Sequence, residues 1–180
     1  MKLVILDRDG VINKDSDSFI KNPNEWIPSP GSLEAIALLN QHGFKVAVAT
    51  NQSGVSRGLF DMATLNSIHD KMHRELAQVG GRIDAVFYCP HSADDHCNCR
   101  KPKPGMIKEI GKRFSVELDE VFAVGDALRD IQAFAEAGCK TILVRTGKGE
   151  ETLKAGKLPV HTSTFADLSE AAQYIIAQDA

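Results

Sequence analysis

The chain has 180 residues, of which 43% are apolar and 25% charged, and its formal net charge is -3. These values exclude an intrinsically disordered chain, and they give no broad basic field of the kind that nucleic-acid-binding proteins carry. The longest apolar runs, such as residues 3–6 and 46–49, fall far short of the about 20 residues that a membrane-spanning helix needs. The apolar run at the N-terminus is also too short for a signal peptide. We therefore expect a single cytoplasmic domain over residues 1–180, monomeric, with no nucleic-acid or membrane partner.

Short apolar runs alternate along the chain with segments of helical periodicity. The predicted strands cover residues 3–6, 45–50, 84–88, 120–124 and 140–144. The predicted helices start near residue 32, at 62–78, at 106–114 and at 129–137, and a last one runs from a capping box at 164–167 to about residue 177. A long polar segment, residues 13–29, follows the first strand, and no stretch is long enough for a separate cap domain. This alternation predicts an α/β fold, Rossmann-like, with a doubly wound parallel sheet.

Polar side chains follow four of the predicted strands. Asp7 and Asp9 come after the first strand, Thr50 ends the second, Lys101 lies beyond the third, and Asp126 ends the fourth. In doubly wound sheets, ligands bind beyond the carboxyl ends of the strands. We therefore expect these side chains to meet at one edge of the sheet, although Asp7 and Asp9 could simply end a strand at a turn.

Carboxylates that meet without an equal number of cations repel each other, and a divalent metal relieves this repulsion. Hard oxygen ligands suit Mg²⁺, with Asp7 and Asp126 as its natural ligands. An aspartate can attack phosphorus, while Mg²⁺ and Lys101 neutralise the developing charge and Thr50 donates a hydrogen bond. Asp9 is placed to protonate the leaving alkoxide and then to take a proton from water. The pattern therefore predicts phosphoryl transfer.

A second cluster contains Cys89, His91, Cys97 and Cys99. Thiolates and an imidazole suit tetrahedral Zn²⁺, and clustered cysteines in a reducing compartment favour a metal over disulfides. The one-residue spacings are tighter than those of common zinc fingers, so free thiols and a redox pair remain alternatives. His96 is a possible substitute ligand.

Four motifs together resemble those of a known family. They are residues 6–13 (LDRDGVIN), 50–54 (TNQSG), 100–102 (RKP) and 125–130 (GDALRD). The chain is similar in these motifs to the haloacid dehalogenase superfamily. Within it, the chain resembles the family of D-glycero-D-manno-heptose 1,7-bisphosphate 7-phosphatases. The resemblance implies hydrolysis of the carbon-7 phosphate of a sugar bisphosphate through an aspartyl-phosphate, in the synthesis of nucleotide-activated heptose for lipopolysaccharide.

The same resemblance implies roles for individual residues. Asp7 is the expected nucleophile and Asp9 the acid/base, and Mg²⁺ is held by Asp7, the Asp9 backbone carbonyl and Asp126. Thr50 and Lys101 steady the phosphoryl group, and the cysteine cluster holds a structural zinc. The expected substrate-binding residues are Asp15, Ser16, Asp17, Ser18, Asn51, Gln52, Ser53 and Arg100. Ala127 stands where some relatives have a lysine.

Several features stay open or are assigned no catalytic role. Asp130 either caps its helix or supports the magnesium site, and Trp26 either packs its loop or borders the substrate pocket. We expect His69 and His73 to have a packing or surface role, and residues 147–149 (GKG) to form a turn. The alternatives to the proposed phosphatase are a histidinol-phosphate phosphatase, a phospho-acceptor signalling domain and a zinc-stabilised binding module.

Overall fold

The computed structural model describes residues 1–179, and its centre is a parallel sheet of six strands in the order β3-β2-β1-β4-β5-β6. The strands are β1 (Lys2–Leu6), β2 (Phe44–Asn51), β3 (Ala85–Cys89), β4 (Phe122–Gly125), β5 (Lys140–Val144) and β6 (Ser163–Phe165). Strand β1 pairs with both β2 and β4, with Leu6 opposite Val48 on one side and Val124 on the other. The chain thus winds outward twice from β1, as predicted, and the crevice between the ends of β1 and β4 is where such sheets bind ligands.

Six α-helices connect and cover the strands. They are α1 (Ser32–Gln41), α2 (Met62–Gln78), α3 (Gly105–Phe114), α4 (Leu128–Glu136), α5 (Gly149–Ala155) and α6 (Leu168–Asp179). Local sequence explains several ends: the Asp61 carboxylate accepts a hydrogen bond from the Thr64 N–H at the start of α2, and Gly156 closes α5 in the left-handed region with a φ of 66°. No helix in this part of the chain combines the length and apolarity needed to cross a bilayer.

Buried apolar side chains cover both faces of the sheet. One core lies between the sheet and helices α1, α2 and α6, and contains Leu6, Val48 and the fully buried Trp26. The other lies under α3 and α4 and contains Ile5, Ala49 and Phe134. Because both faces of β1 and β2 are covered, their sequences are continuous apolar runs rather than alternating ones.

Most predicted elements form within a residue or two of their predicted ends, and α2 forms at its predicted bounds. Among the strands and α-helices, two were missed: β6 is a three-residue edge strand that is only half-buried, and α5 is a seven-residue helix with little apolar periodicity. The predicted capping box at 164–167 was wrong. Thr164 belongs to β6, and the start of α6 is capped instead by Asp167, which accepts from the Glu170 N–H, while Glu170 accepts from the Ala166 N–H.

Candidate active site

Lys101 lies at the centre of the site, although it is separated from its partners by long stretches of sequence. Its ammonium group is 2.9 Å from the Asp7 carboxylate and 2.8 Å from that of Asp130, and it donates a 2.8 Å hydrogen bond to the carbonyl of Ala49. Asp7 and Lys101 are both almost fully buried. The backbone of Lys101 is held by Asn51, whose side-chain amide accepts from the Lys101 N–H and donates to its carbonyl, both at 3.1 Å. The predicted convergence of strand ends is therefore present.

Because these side chains are buried, the charges of their neighbours strongly affect their pKa values. Burial and the nearby Asp130 carboxylate together raise the pKa of Asp7 to about 7, despite the opposing effect of Lys101. Burial and the charges of Asp130 and Asp7 raise the pKa of Asp126 well above its usual range. Asp130 differs, because the pairing with Lys101 outweighs burial and lowers its pKa. One lysine is thus too little positive charge for the three aspartates.

These carboxylates fit a divalent cation. Asp7, Asp126 and Asp130 each present an oxygen atom to a common centre, and these atoms lie within 4.8 Å of one another. An all-oxygen donor set is what Mg²⁺ prefers, and its charge would supply what Lys101 does not. Asp126 is held for this purpose by the backbone N–H of Lys148, 2.8 Å from its Oδ2 atom. The contribution of Asp9 through its backbone carbonyl stays a prediction.

Glycine at position 10 makes room for the Asp126 carboxylate. Gly10 has a φ of 89°, in the left-handed region, and a Cβ atom built on it would collide with the Asp126 carboxylate. Any other residue would therefore be strained and would displace a candidate metal ligand.

Asp130 caps its helix, which is one of its two predicted roles, and it also pairs with Lys101. Its Oδ2 atom accepts from the Ala127 N–H at 3.1 Å, which caps the first turn of α4, and its other oxygen faces Lys101. Trp26 is fully buried in the core and does not border the site; its carbonyl accepts a 2.8 Å hydrogen bond from Lys71.

Asp9 also lines the site, but its carboxylate is surrounded by hydrogen-bond donors, unlike that of Asp7. Its Oδ1 atom accepts from Arg8 Nε at 2.8 Å and from Asn13 Nδ2 at 3.0 Å, whereas Oδ2 is 3.3 Å from Gln52 Nε2. Burial opposes ionisation, but the charge and hydrogen bond of Arg8, together with the hydrogen bonds of Asn13 and Gln52, outweigh it and lower the pKa of Asp9. Gln52 also donates to Thr50 Oγ1 at 2.9 Å and so ties the threonine to the acid/base candidate.

A cavity of about 230 Å³ opens over these groups. Among the residues predicted to bind substrate, all except Ser18 line it. The Ser18 backbone N–H donates instead to the Ser16 hydroxyl, in a turn that leaves the Ser18 side chain exposed. Sequence reasoning missed four lining residues that the structure adds: Phe19, Arg57, Arg129 and Lys148.

The predicted turn at residues 147–149 forms over residues 146–148, and Lys148 within it also reaches the site. Lys148 immediately precedes α5, its backbone N–H holds Asp126, and its ammonium group pairs with Asp15 at 2.7 Å. Arg129 could have been found from its position, because it follows Asp126 by three residues and lies in the first turn of α4.

The cysteine cluster forms beside this cavity. Cys89 Sγ is 3.5 Å from His91 Nδ1 and 3.6 Å from Cys97 Sγ, while Cys99 Sγ is 3.4 Å from His91 Nδ1 and 2.6 Å from Cys89 Sγ. Edges of about 3.5–3.8 Å are expected for a tetrahedron with metal–sulfur bonds of about 2.3 Å. Three of the four distances are close to these edges and the Cys89–Cys99 separation is shorter, so the four donors gather closely enough to surround one zinc ion. His96 is exposed and is not part of the group.

Hydrogen bonding within the cluster favours a thiolate at Cys97. Burial opposes ionisation there, but donation from the Arg100 backbone N–H and from the other thiols outweighs it and lowers the pKa of Cys97 to about 6. The loop also holds the neighbouring cavity residue, because Arg100 Nη1 donates to the His91 carbonyl at 3.3 Å. Cys139 is buried apart from the cluster.

Comparison with known proteins agrees with the fold. The family model described as HAD-hydrolase-like matches residues 98–171. A D-glycero-beta-D-manno-heptose-1,7-bisphosphate 7-phosphatase of Bordetella bronchiseptica is 59% identical, over 99% of this chain and 99% of the relative. The enzyme of the same name from Pseudomonas aeruginosa is 50% identical, over 97% of both chains.

Solved structures give the same result. The chain resembles the crystal structure of D,D-heptose 1,7-bisphosphate phosphatase from B. bronchiseptica complexed with magnesium and phosphate, with a TM-score of 0.98 over 100% of both chains and 59% identity. The corresponding enzyme from Burkholderia thailandensis gives a TM-score of 0.80 and 51% identity, covering 98% of this chain and 99% of the other. The resemblance found in four short motifs thus extends over the whole length: the chain belongs to the D-glycero-beta-D-manno-heptose-1,7-bisphosphate 7-phosphatase family of HAD-like hydrolases.

Proposed function

We propose that this chain is a magnesium-dependent phosphatase that removes the carbon-7 phosphate of D-glycero-D-manno-heptose 1,7-bisphosphate. The observation that carries the proposal is the buried group in which the Asp7 carboxylate lies 2.9 Å from the Lys101 ammonium group and beside Asp126. Full-length identity with relatives named for this reaction supports the choice of substrate.

The reaction proceeds in two steps on the residues of the chain. Asp7 attacks the phosphorus atom, the bond from phosphorus to the carbon-7 oxygen breaks, and Asp9 gives its proton to that oxygen as the alcohol leaves. Asp9 then takes a proton from water, which attacks the aspartyl-phosphate and releases inorganic phosphate and the Asp7 carboxylate. Lys101 and Thr50 stabilise the negative charge on the phosphoryl oxygens in both steps.

Asp7 and Asp126 are the proposed magnesium ligands, together with the backbone carbonyl of Asp9. When bound, Mg²⁺ neutralises charge on the phosphoryl oxygens and keeps the Asp7 carboxylate ionised. Magnesium in the crystallised Bordetella relative supports this choice of metal.

The lining of the cavity fits a sugar that carries a second phosphate. Arg57, Arg100 and Arg129 supply positive charge around the aspartates, and we assign the retained phosphate to Arg100. Asp15 and Asp17 offer acceptors for sugar hydroxyl groups. Three arginines in addition to Lys101 suit a sugar bisphosphate better than a single phosphate ester.

We further propose that Cys89, His91, Cys97 and Cys99 hold a structural zinc ion. Four protein ligands leave no position for a reactive water molecule, so the metal shapes the loop instead. That loop leads directly into Arg100 and Lys101, which makes its geometry important for the site.

The test is a phosphate-release assay with the purified protein, with and without Mg²⁺. The substrates are both anomers of the heptose 1,7-bisphosphate and histidinol phosphate, and phosphorus NMR identifies which phosphate is lost. We expect Mg²⁺-dependent loss of the carbon-7 phosphate with retention of the phosphate on carbon 1. Faster hydrolysis of histidinol phosphate would contradict the substrate, and a long-lived phospho-aspartate without turnover would favour a signalling domain.

A further inference from the structure

A buried line of polar contacts leads from Asp9 away from the cavity to helix α2. Arg8 lies between them with a fully buried side chain: its Nε donates to Asp9 Oδ1 at 2.8 Å, and its Nη1 is 3.1 Å from Nε2 of His69. His69 is itself only 7% exposed. Because a guanidinium group can only donate, His69 Nε2 must accept, so the imidazole is neutral and carries its proton on Nδ1.

We propose that His69 is a positioning residue for the reaction, which acts through Arg8 to fix the orientation of the Asp9 carboxylate. This inference rests on the role proposed above for Asp9. It gives a function to one member of the His69/His73 pair, to which the sequence assigned a packing or surface role. His73, one turn further along α2, is exposed.

The contacts of Asp9 show why its orientation depends on Arg8. Two donors hold Oδ1, and Oδ2 has a single contact, the 3.3 Å approach of Gln52. Oδ1 is thus the anchored oxygen, and Oδ2 is the one left to exchange a proton with the substrate. A rotation of the Arg8 guanidinium group would release one of the two anchors and turn Oδ2 away from the reacting oxygen.

The contacts of Arg8 show in turn why it depends on His69. Its Nη2 has no hydrogen-bond partner among residues 1–179, so the outer end of the guanidinium group is held by His69. The other buried residues on this stripe of α2 are apolar: Leu65, Ile68, Met72 and Leu76. A leucine at position 69 would suit the packing equally well and would leave Arg8 with no acceptor at that end.

The proton balance of the first step supplies a specific test. Asp9 delivers a proton to the leaving alkoxide, which is a poor leaving group, whereas p-nitrophenolate leaves without one. Misplacing Asp9 should therefore slow phosphoryl transfer from an alkyl phosphate and spare transfer from p-nitrophenyl phosphate. The rate that should not change is that of the initial burst of p-nitrophenolate, which reports the first step alone. Later turnovers would slow, because the second step requires Asp9 as a base.

The experiment compares His69→Leu, which removes the acceptor, with His69→Gln, which keeps one, and with the surface control His73→Leu. For His69→Leu we expect kcat on the alkyl phosphate to fall by about 100-fold, the effect of a misplacement of about 1 Å, with KM within about 2-fold. The p-nitrophenolate burst rate should stay within about 2-fold. His69→Gln should recover most of the loss, and His73→Leu should behave as wild type.

The proposal would be overturned if His69→Leu slowed the alkyl phosphate reaction and the p-nitrophenolate burst equally, or slowed neither. A loss that His69→Gln does not recover would also count against it. If His69→Leu does not fold, His69→Asn replaces it, because its amide is too short to reach Arg8 and the same pattern is expected. The alkyl phosphate is whichever one the wild-type protein hydrolyses fastest, so a wrong assignment of the heptose substrate would leave this comparison intact.

Discussion

Replacement of Lys101 by methionine tests the charge balance on which the site is built. Methionine has a similar length and volume, so it removes the charge and leaves little cavity. The wild-type ammonium group lies 2.9 Å from Asp7 and 2.8 Å from Asp130, all three side chains being buried. Breaking a buried ion pair by removing one partner costs about 3–5 kcal/mol, because the remaining charge is uncompensated. We expect Lys101→Met to lose that much unfolding free energy in buffer without Mg²⁺.

Urea denaturation measures this loss through Trp26, which is the single tryptophan and is fully buried. Added Mg²⁺ should narrow the gap between variant and wild type, because a cation bound to Asp7 and Asp126 replaces part of the missing charge. The matched control is Lys148→Met, whose pair with Asp15 has side chains 37% and 20% exposed, and which should cost less than about 1 kcal/mol. The kcat of Lys101→Met should also fall by about 10²–10³-fold. A variant as stable as wild type without Mg²⁺ would refute the reasoning.

The remaining predictions concern the nucleophile, the metal sites and pH. Asp7→Asn should abolish turnover in the phosphate-release assay. In urea denaturation without Mg²⁺ it should be at least as stable as wild type, because it removes a poorly compensated buried charge. Gly10→Ala should weaken Mg²⁺ binding, measured by calorimetry, since its methyl group would collide with the Asp126 carboxylate. Cys97→Ser should lower the zinc content in elemental analysis and reduce activity indirectly, and a native protein without zinc would exclude that site. Burial and the charge of Arg8 lower the pKa of His69 to about 3, so the unfolded state binds the extra proton between pH 3 and 6.5. Stability should therefore fall as pH drops below 6.5, by up to about 1.4 kcal/mol per pH unit, and His69→Gln should flatten this dependence in urea titrations.

One cysteine variant and one histidine variant serve as controls for these experiments. Cys139→Ser removes a buried thiol outside the cluster and should leave the zinc content unchanged. His73→Gln removes an exposed imidazole from the same helix and should leave the slope of stability against pH in place. Equal behaviour of either control and its test variant would contradict the assignment.

The centre of the site could be predicted because it follows from periodicity and topology. A buried parallel strand is recognisable as an apolar run such as residues 3–6, and parallel strands end at the same edge of a sheet. The residue immediately after each run is then a site candidate, which is how Asp7 and Asp126 were found. Lys101 lies twelve residues beyond β3, and it was found in a similar way, as a charged residue of the segment that follows that strand.

Other parts depend on contacts that have no local signal. Strand β6 was missed because an edge strand of three half-buried residues has no apolar run. Arg57 and Phe19 border the cavity from two loops that meet only in the folded chain, where the Arg57 guanidinium group lies 5.9 Å from the centre of the Phe19 ring. His69 occupies an apolar stripe, so periodicity predicts its burial and gives no information about the Arg8 side chain that it contacts.

Asp7 and Asp9 are two residues apart and yet lie in opposite electrostatic surroundings. Burial and Asp130 raise the pKa of Asp7, whereas Arg8 overcomes burial and lowers that of Asp9. Carboxyl groups whose pKa values are shifted in opposite directions commonly divide the acid, base and nucleophile roles between them. On the proposed mechanism Asp9 enters the second step as a base, the form that Arg8 favours, but must be protonated for the first. Since Arg8 lowers the pKa of Asp9, the first step requires a proton that Asp9 gains as the negatively charged substrate binds beside it. Asp9 then holds that proton only while the negative phosphoryl group lies beside it, so the same residue serves as acid before transfer and as base after it.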